Sequence, residues 1–420
     1  SHFMRMDGKK TKEVAIFKDY SLGVNTNRDA WVYNSSRHTV IDSTKRSVLA
    51  FNKALGELNS GTDTSSVRQK YIKDVAWSSS LVSRLERKIP SDFSERRIQK
   101  SLYRPFFKQN LYFDPESGFT HRPGRWKYIF PDSKAKNLAI CSSGVDNLVI
   151  CINQNAKDAG QIALMTNHIA DLHFNGDTQC FPRWLPGEQS KTAVDDLFEA
   201  QNPMPSGFSP EALPHFQTAY PDESITEDDL FYYIYGILHS EDYRTRYANN
   251  LMKELPRIPR VATYEQFMAF VEAGQELARL HVHFEDVTPY AGVTIEYTKP
   301  GQPSFRVKQM RWGKIKGKTG NAAKDKSTLI YNDWITVKNI PLEAQEYVVN
   351  KKSALDWVVE RACVSIDKAS CIVNDFNDYA AEMGNERYPL DLFLKIITVS
   401  LETMKIVKAL PKLEIHPLDK

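Results

Sequence analysis

The chain has 420 residues, which allows two or three packed units. Its apolar content of 41% and charged content of 25% are ordinary for a globular protein, and no run approaches the ~20 consecutive apolar residues of a membrane span. Lysine and arginine number 55 against 52 acids, a net charge of +3, so bulk charge does not identify a nucleic-acid binder; its distribution along the chain matters more.

Ser1-His2-Phe3-Met4 reads as a cloning remnant outside the fold, and the polar stretch from Arg5 to Val14 holds no apolar targeting segment. Residues 13–40 alternate in polarity and predict strands about a turn at Gly23-Val24-Asn25-Thr26-Asn27. Helical spacing covers 43–58 and 64–88, divided by Asn59-Ser60-Gly61. From about Ser101 to Pro186, short β-rich runs such as 138–141 and 148–152 alternate with glycine, proline and asparagine, as in a mostly antiparallel β unit. Residues 187–225, with Pro203, Pro205, Pro210, Pro214 and Pro221, read as an extended linker. Thr226 is a predicted N-cap, followed by three acids where the helix dipole favours them and by the stripe Leu230, Ile234, Ile237, Leu238. Ser240 caps a second helix burying Tyr243, Tyr247 and Leu251, and a third runs from Tyr264 to His281. Residues 292–340 return to β character, and two helices near 342–361 and 390–410 close the chain. The expected class is α+β: a connecting segment over 1–100, a β-rich unit with linker over 101–225, and a helical unit over 226–420 enclosing the β segment at about 292–340.

Catalytic signatures are scarce. Cys141, Cys151, Cys180, Cys363 and Cys371 form no CxxC pair, so neither a zinc ribbon nor a disulfide framework is indicated, and a reduced, cytoplasmic compartment is the simplest reading. Gly317-Lys318-Thr319 lacks the upstream glycine that would let backbone amides wrap a phosphate, since Trp312 holds that position. His168, Asp171, His173, Asp177 and Cys180 mix zinc-ligand types at spacings that fit no finger, and read better as a β segment with a turn at Asn175-Gly176. GxSxG, HExxH, a glycine-rich dinucleotide turn and the Asn/Asp-Pro-Pro-aromatic tetrapeptide of adenine methyltransferases are all absent from the sequence.

The basic signal is stronger. Between Arg306 and Lys326 stand Arg306, Lys308, Arg311, Lys314, Lys316, Lys318, Lys324 and Lys326 against Asp325 alone. Alternation from Lys314 to Lys318 would align three cations on one face of a strand, suited to a phosphate backbone, and Trp312 could wedge or stack; a solvated surface hairpin fits the composition equally. A second cluster joins Arg104 and Lys108 to Arg122, Arg125 and Lys127, although Arg104 could instead make a structural ion pair. A third places Arg28 and Trp31 after the Gly23 turn, where arginine and acid could simply lock each other. The candidate DNA-contacting residues are therefore Arg28, Trp31, Arg104, Lys108, Arg122, Arg125, Lys308, Arg311, Lys314, Lys316 and Lys318.

The same strings carry a family resemblance. Gly23 to Asn34 (GVNTNRDAWVYN) resembles the GxxTxRDAWxYN stretch of type ISP restriction–modification enzymes, and Tyr103-Arg104-Pro105-Phe106 with Leu111-Tyr112-Phe113-Asp114 is similar to their YRPF…LYFD segment. Asp171-Leu172-His173-Phe174, the run from Phe231 to Ser240, Tyr331-Asn332-Asp333 and Ile372-Val373-Asn374-Asp375 extend the likeness, in order, over about residues 13–410. In that family one polypeptide joins a nuclease, a helicase-like ATPase, a coupler, an adenine methyltransferase and a C-terminal target-recognition domain. The resemblance implies that this chain is the last of these. It implies double-stranded DNA as partner, read on its β-rich unit, alongside the methyltransferase and helicase-like parts of the same polypeptide. It implies no cofactor in this chain, with S-adenosylmethionine, ATP and Mg used elsewhere in the parent. The competing expectations are a metal-dependent nuclease built from scattered carboxylates, and a non-specific DNA clamp or docking module.

Overall fold

A computed structural model describes residues 2–7, 13–130, 147–153, 160–186 and 205–416. The expected β run at 138–141 and the first half of the proline-rich linker lie outside these residues. Helices and strands are mixed, with several small sheets, so the class is α+β.

Between Gly23 and Asn34 the alternating pattern gives less strand than its period suggests. Only Ser21–Leu22 and Tyr33–Asn34 are extended, and Asp29–Val32 coils into one helical turn between them. Arg37–Asn59 is a long helix whose start is fixed by the Ser36 hydroxyl accepting from Thr39 N–H. Three shorter helices follow it, within Thr64–Glu86. Two four-stranded sheets come next. One runs Tyr33–Asn34, Phe107–Tyr112, Ile98–Arg104, Ile169–Ala170, antiparallel except for its last pair. The other runs Ser21–Leu22, Thr178–Pro182, Val149–Asn153, Ala163–Thr166, antiparallel throughout.

The helical block follows its caps. Thr226 and Asp229 form a reciprocal capping box that starts Glu227–His239, and Ser240 accepts from Tyr243 N–H to start Glu241–Arg246. Tyr264–Val282 packs against Glu227–His239 through facing glycines. A Cβ on Gly274 would fall inside the Tyr232 carbonyl, and one on Gly236 inside that of Phe270. A third antiparallel sheet runs Thr294–Tyr297, Ile335–Lys338, Lys324–Ile330, Arg311–Lys314.

Three expectations need correction, the first being the extended linker over 187–225: its described part carries the helix Ala212–Gln217, and Phe208, Phe216 and Tyr220 are buried in the helical core. Phe3–Arg5 is not outside the fold, because it pairs with Arg257–Pro259 and buries Met4 against the helical core. The helix near 342–361 is shorter: a 3-10 turn at Leu342–Gln345 and a tight β ribbon precede Ala354–Arg361. Asn350 and Lys351 both have positive φ at the ribbon turn, which a helix cannot accommodate.

Two apolar cores result, and neither respects chain order. One joins Trp31, Phe51 and Leu111 to Leu329, Val358 and Phe393. The other joins Met4, Phe17 and Ile150 to Phe231, Phe270 and Leu413.

Candidate nucleic-acid interface

The Gly23 turn, the Tyr103-Arg104 segment and the strand end at Ala170-Asp171 are far apart in sequence and meet in space. Val24 N–H donates to Ala170 O at 2.8 Å and Leu172 N–H to Val24 O at 2.8 Å. A side chain at Gly23 would stand 2.5 Å from Asp171 O, so the close approach requires glycine there. Asp29 accepts hydrogen bonds from the Thr26 hydroxyl and, at 3.0 Å, from Tyr103 OH. Arg104 Nη1 donates to Asp171 Oδ1 at 2.6 Å while its guanidinium lies 3.9 Å from the centre of the Tyr103 ring. Burial, helped by the Asp29 charge, pushes the Asp171 carboxyl up to about 7 against the pull of Arg104.

This network gives the nearby candidates interior roles. Arg28 is 4% exposed, donates to Val75 O at 2.8 Å and Ser78 Oγ at 2.9 Å, and does not pair with Asp29. Trp31 is 5% exposed and packs in the core. Both side chains therefore lie in the interior, not on the surface expected of a phosphate contact. Arg104 makes the ion pair that was the alternative expectation. Lys108 is held by Glu285 at 2.6 Å, with both side chains mostly covered. Arg125 reaches Asp19 at 2.6 Å and remains half-exposed, whereas Arg122 is exposed, its backbone paired with Asn25.

The basic stretch is different. Lys308, Arg311, Lys314, Lys316, Lys318 and Lys324 are exposed, and none makes an ion pair with a described residue. The expected alternation on a strand does not form. Arg311–Lys314 ends at Lys314, and Lys316-Gly317 is the tip of a turn closed by Ile315 N–H donating to Ala323 O at 2.7 Å. Gly317 has φ of 77°, the left-handed conformation such a tip favours. Gly317-Lys318-Thr319 is thus an exposed turn followed by a single 3-10 turn at Gly320–Ala323, with neither the α-helix nor the upstream glycine that a phosphate-binding loop needs. Trp312 is no wedge: it is buried, donates from Nε1 to Asp356 at 2.8 Å and packs edge-on against Phe393. Lys326 pairs with the same Asp356, and Arg306 with Asp375, so these two cations anchor the sheet and the neighbouring ribbon.

A groove of about 520 Å³ opens beside the Ile98–Arg104 strand, lined by Arg96, Arg97, Lys100, Lys127 and His168 among others. Arg97 is tied to Asp114 at 2.5 Å and Lys100 to Glu382 at 3.1 Å, leaving Arg96 and Lys127 exposed. Arg96 and Lys100 did not stand out in the sequence. The available signal was Arg96-Arg97 immediately before a strand, with Lys100 in its first turns of alternation.

His173 and Asp177 lie 3.7 Å apart on the surface, Asp171 is committed to Arg104, and Cys180 faces Cys151 at 3.6 Å inside a sheet. Among the described residues no three histidines, cysteines or acids gather as a metal would require, and no helix is long and apolar enough to cross a membrane.

Comparison with known proteins bears on what these surfaces serve. No curated protein sequence matches the chain. Among solved structures, a nuclease-deletion mutant of the Type ISP restriction–modification enzyme LlaGI, in complex with a DNA substrate mimic, is similar over 99% of this chain and 34% of its own, at 30% identity and TM-score 0.78. The ATP-dependent Type ISP enzyme LlaBIII bound to DNA is similar over 99% of this chain and 24% of its own, at 29% identity and TM-score 0.80. A DrdV–DNA complex is similar over 97% and 37%, at 28% identity and TM-score 0.76. The chain therefore spans between a quarter and somewhat over a third of the length of these relatives. The profile of the Type ISP C-terminal specificity domain matches residues 15–392, and the chain belongs to that family.

Proposed function

We propose that this chain recognises a short sequence in duplex DNA as the specificity part of a Type ISP restriction–modification enzyme. The observation that carries the reading is likeness over essentially the whole chain to two such enzymes in complexes with DNA or a DNA mimic. The exposed cations at Lys308, Arg311, Lys314, Lys316 and Lys318 support it, because unpaired surface charges are free to replace counterions along a phosphate backbone. Arg122, Arg125, Arg96 and Lys127 add cations on the β-rich unit of residues 101–225 and its border. Phosphate contacts of this kind position the protein, while side chains aimed at base edges choose the sequence.

In the parent enzyme, ATP, S-adenosylmethionine and Mg would be bound by the helicase-like and methyltransferase parts in the cytoplasm, and this chain would hold the duplex for them. Selection from a randomised duplex pool tests the proposal. Each good base contact contributes roughly 1–3 kcal/mol of preference, so one short motif should be enriched at least ~10³-fold over random duplex. Binding without enrichment would reduce the chain to a non-specific clamp.

A further inference from the structure

A cleft of about 260 Å³ lies between the Tyr33 and Tyr103 side and the ribbon formed by Val364–Ile366 and Val373–Asp375. Three features of it point to a ligand. Gln109 lines the cleft and is 2% exposed, yet its carbonyl oxygen Oε1 has no hydrogen-bond partner. A buried amide oxygen without a partner has given up its water for nothing, so an arriving N–H group would relieve a standing penalty. The other walls supply two aromatic rings, Tyr33 and Tyr103, whose centres are 4.7 Å apart, and the Asp29 carboxylate, which repels phosphate and accepts from amino groups.

The ribbon at the mouth is the second element. Ile366 and Val373 are direct cross-strand partners and stand 63% and 45% exposed, an aliphatic pair with nothing described covering it. The third is charge beside the ribbon. Val364 N–H donates to Lys308 O at 2.9 Å and Arg306 pairs with Asp375, so two exposed basic residues of the 306–326 stretch flank it.

We propose that this ribbon and cleft act together on one base of the duplex: Ile366 and Val373 wedge into the stack, and the cleft receives the displaced nucleobase. Gln109 reads its amino-bearing edge, the tyrosines cover its face, and Lys308 holds an adjoining phosphate. Apolar wedges that unstack a step, and amides that pair with the edge of adenine, are the chemistry such a site uses. A base with an exocyclic amino group, adenine or cytosine, is the ligand class. The proposal rests on the DNA-binding reading above.

The test uses the whole chain and the duplex selected from the random pool. 2-Aminopurine is placed beside each adenine or cytosine in turn, so that the base under test keeps its amino group. Binding of wild-type protein should raise fluorescence several-fold at one position, as the neighbouring base leaves the stack. The surface variant Ile366→Ser/Val373→Ser should abolish the rise. Gln109→Leu, checked for unchanged thermal melting, should lose about tenfold of the preference at that base pair and keep its affinity for random duplex. Sequence-selective binding with no fluorescent position, and full preference in Gln109→Leu, would overturn this inference while leaving the broader reading intact. A chain that binds no duplex at all would remove both.

Discussion

His239 is fully buried, with Nδ1 2.8 Å from the Tyr235 carbonyl, which can only accept; Nδ1 therefore carries the proton of a neutral ring, and Nε2 finds no partner. Burial lowers its pKa from 6.5 to about 4, and His281, 5.5 Å away, is lowered in the same direction. Between those values the unfolded chain holds the proton and the folded chain does not, so His239 lowers stability as pH falls from about 6.5 to 4, by roughly 3 kcal/mol in total. Asp171 works the other way. Its folded pKa is raised to about 7, so its contribution is full below pH 3.8 and lost as pH rises through 7. The wild-type curve mixes the two, and the comparison of variants separates them. In urea titrations at pH 7 and pH 4.5, His239→Asn should lose less stability on acidification than wild type; equal losses would contradict the neutral-histidine assignment. At this scale the sequence was legible in chemistry and opaque in partners. That Arg104 needs a counter-charge follows from the cost of burying a guanidinium, but Asp171 lies 67 residues away and no local pattern selects it. Trp312 failed for the same reason: its flanking lysines suggest a surface, while its own side chain turns inward to Asp356.

Elements were easiest to read where a side chain stops or starts one. Thr226 and Ser240 were legible because caps act over three residues, and the Tyr264 helix by its apolar stripe, whereas the glycines facing each other across two helices were not, since nothing near Gly274 announces Tyr232. Those glycines give a contrast that can be measured. Gly274→Ala should destabilise by about 1–3 kcal/mol through overpacking, despite a gain of about 1 kcal/mol in helix propensity. Gly56→Ala, in a helix with nothing within 4 Å of the new methyl, should stabilise by up to ~1 kcal/mol. Thermal melts of the two variants moving in the same direction would refute the packing account. The basic turn calls for a different readout. Changing Lys314, Lys316 and Lys318 together to glutamine should weaken binding to all duplexes alike and flatten the slope of log affinity against log salt by up to about 0.9 per lost phosphate contact. An unchanged slope would make the turn ordinary solvated surface, and melting should not change in either case, because all three side chains are exposed.

On the scale of the whole molecule, the sequence foretold the class and the family but not the way the parts interlock. Hydrophobic period marks which residues are buried, and carries no address for the surface they bury against. The missing cofactor loop and base-holding tetrapeptide lead to a direct expectation: the purified chain should neither transfer methyl groups nor hydrolyse ATP, and sustained turnover of either by homogeneous protein would demand a new account of it. The two interleaved cores have a consequence for how the chain reaches this state. Phe3–Arg5 waits for Arg257–Pro259, whereas the helix Arg37–Asn59 finds partners early: its Phe51 ring meets those of Trp77 and Phe119, and the helix lies against Phe107–Tyr112. Loop closure over the longer separations is slow, and the faces that Tyr264–Val282 and Ala354–Arg361 offer to the helix Tyr388–Ala409 stay open until it emerges. Nascent chains released short of that helix should therefore be cut first within Tyr264–Val282 and Ala354–Arg361, and resistance there equal to that of the full chain would contradict this order.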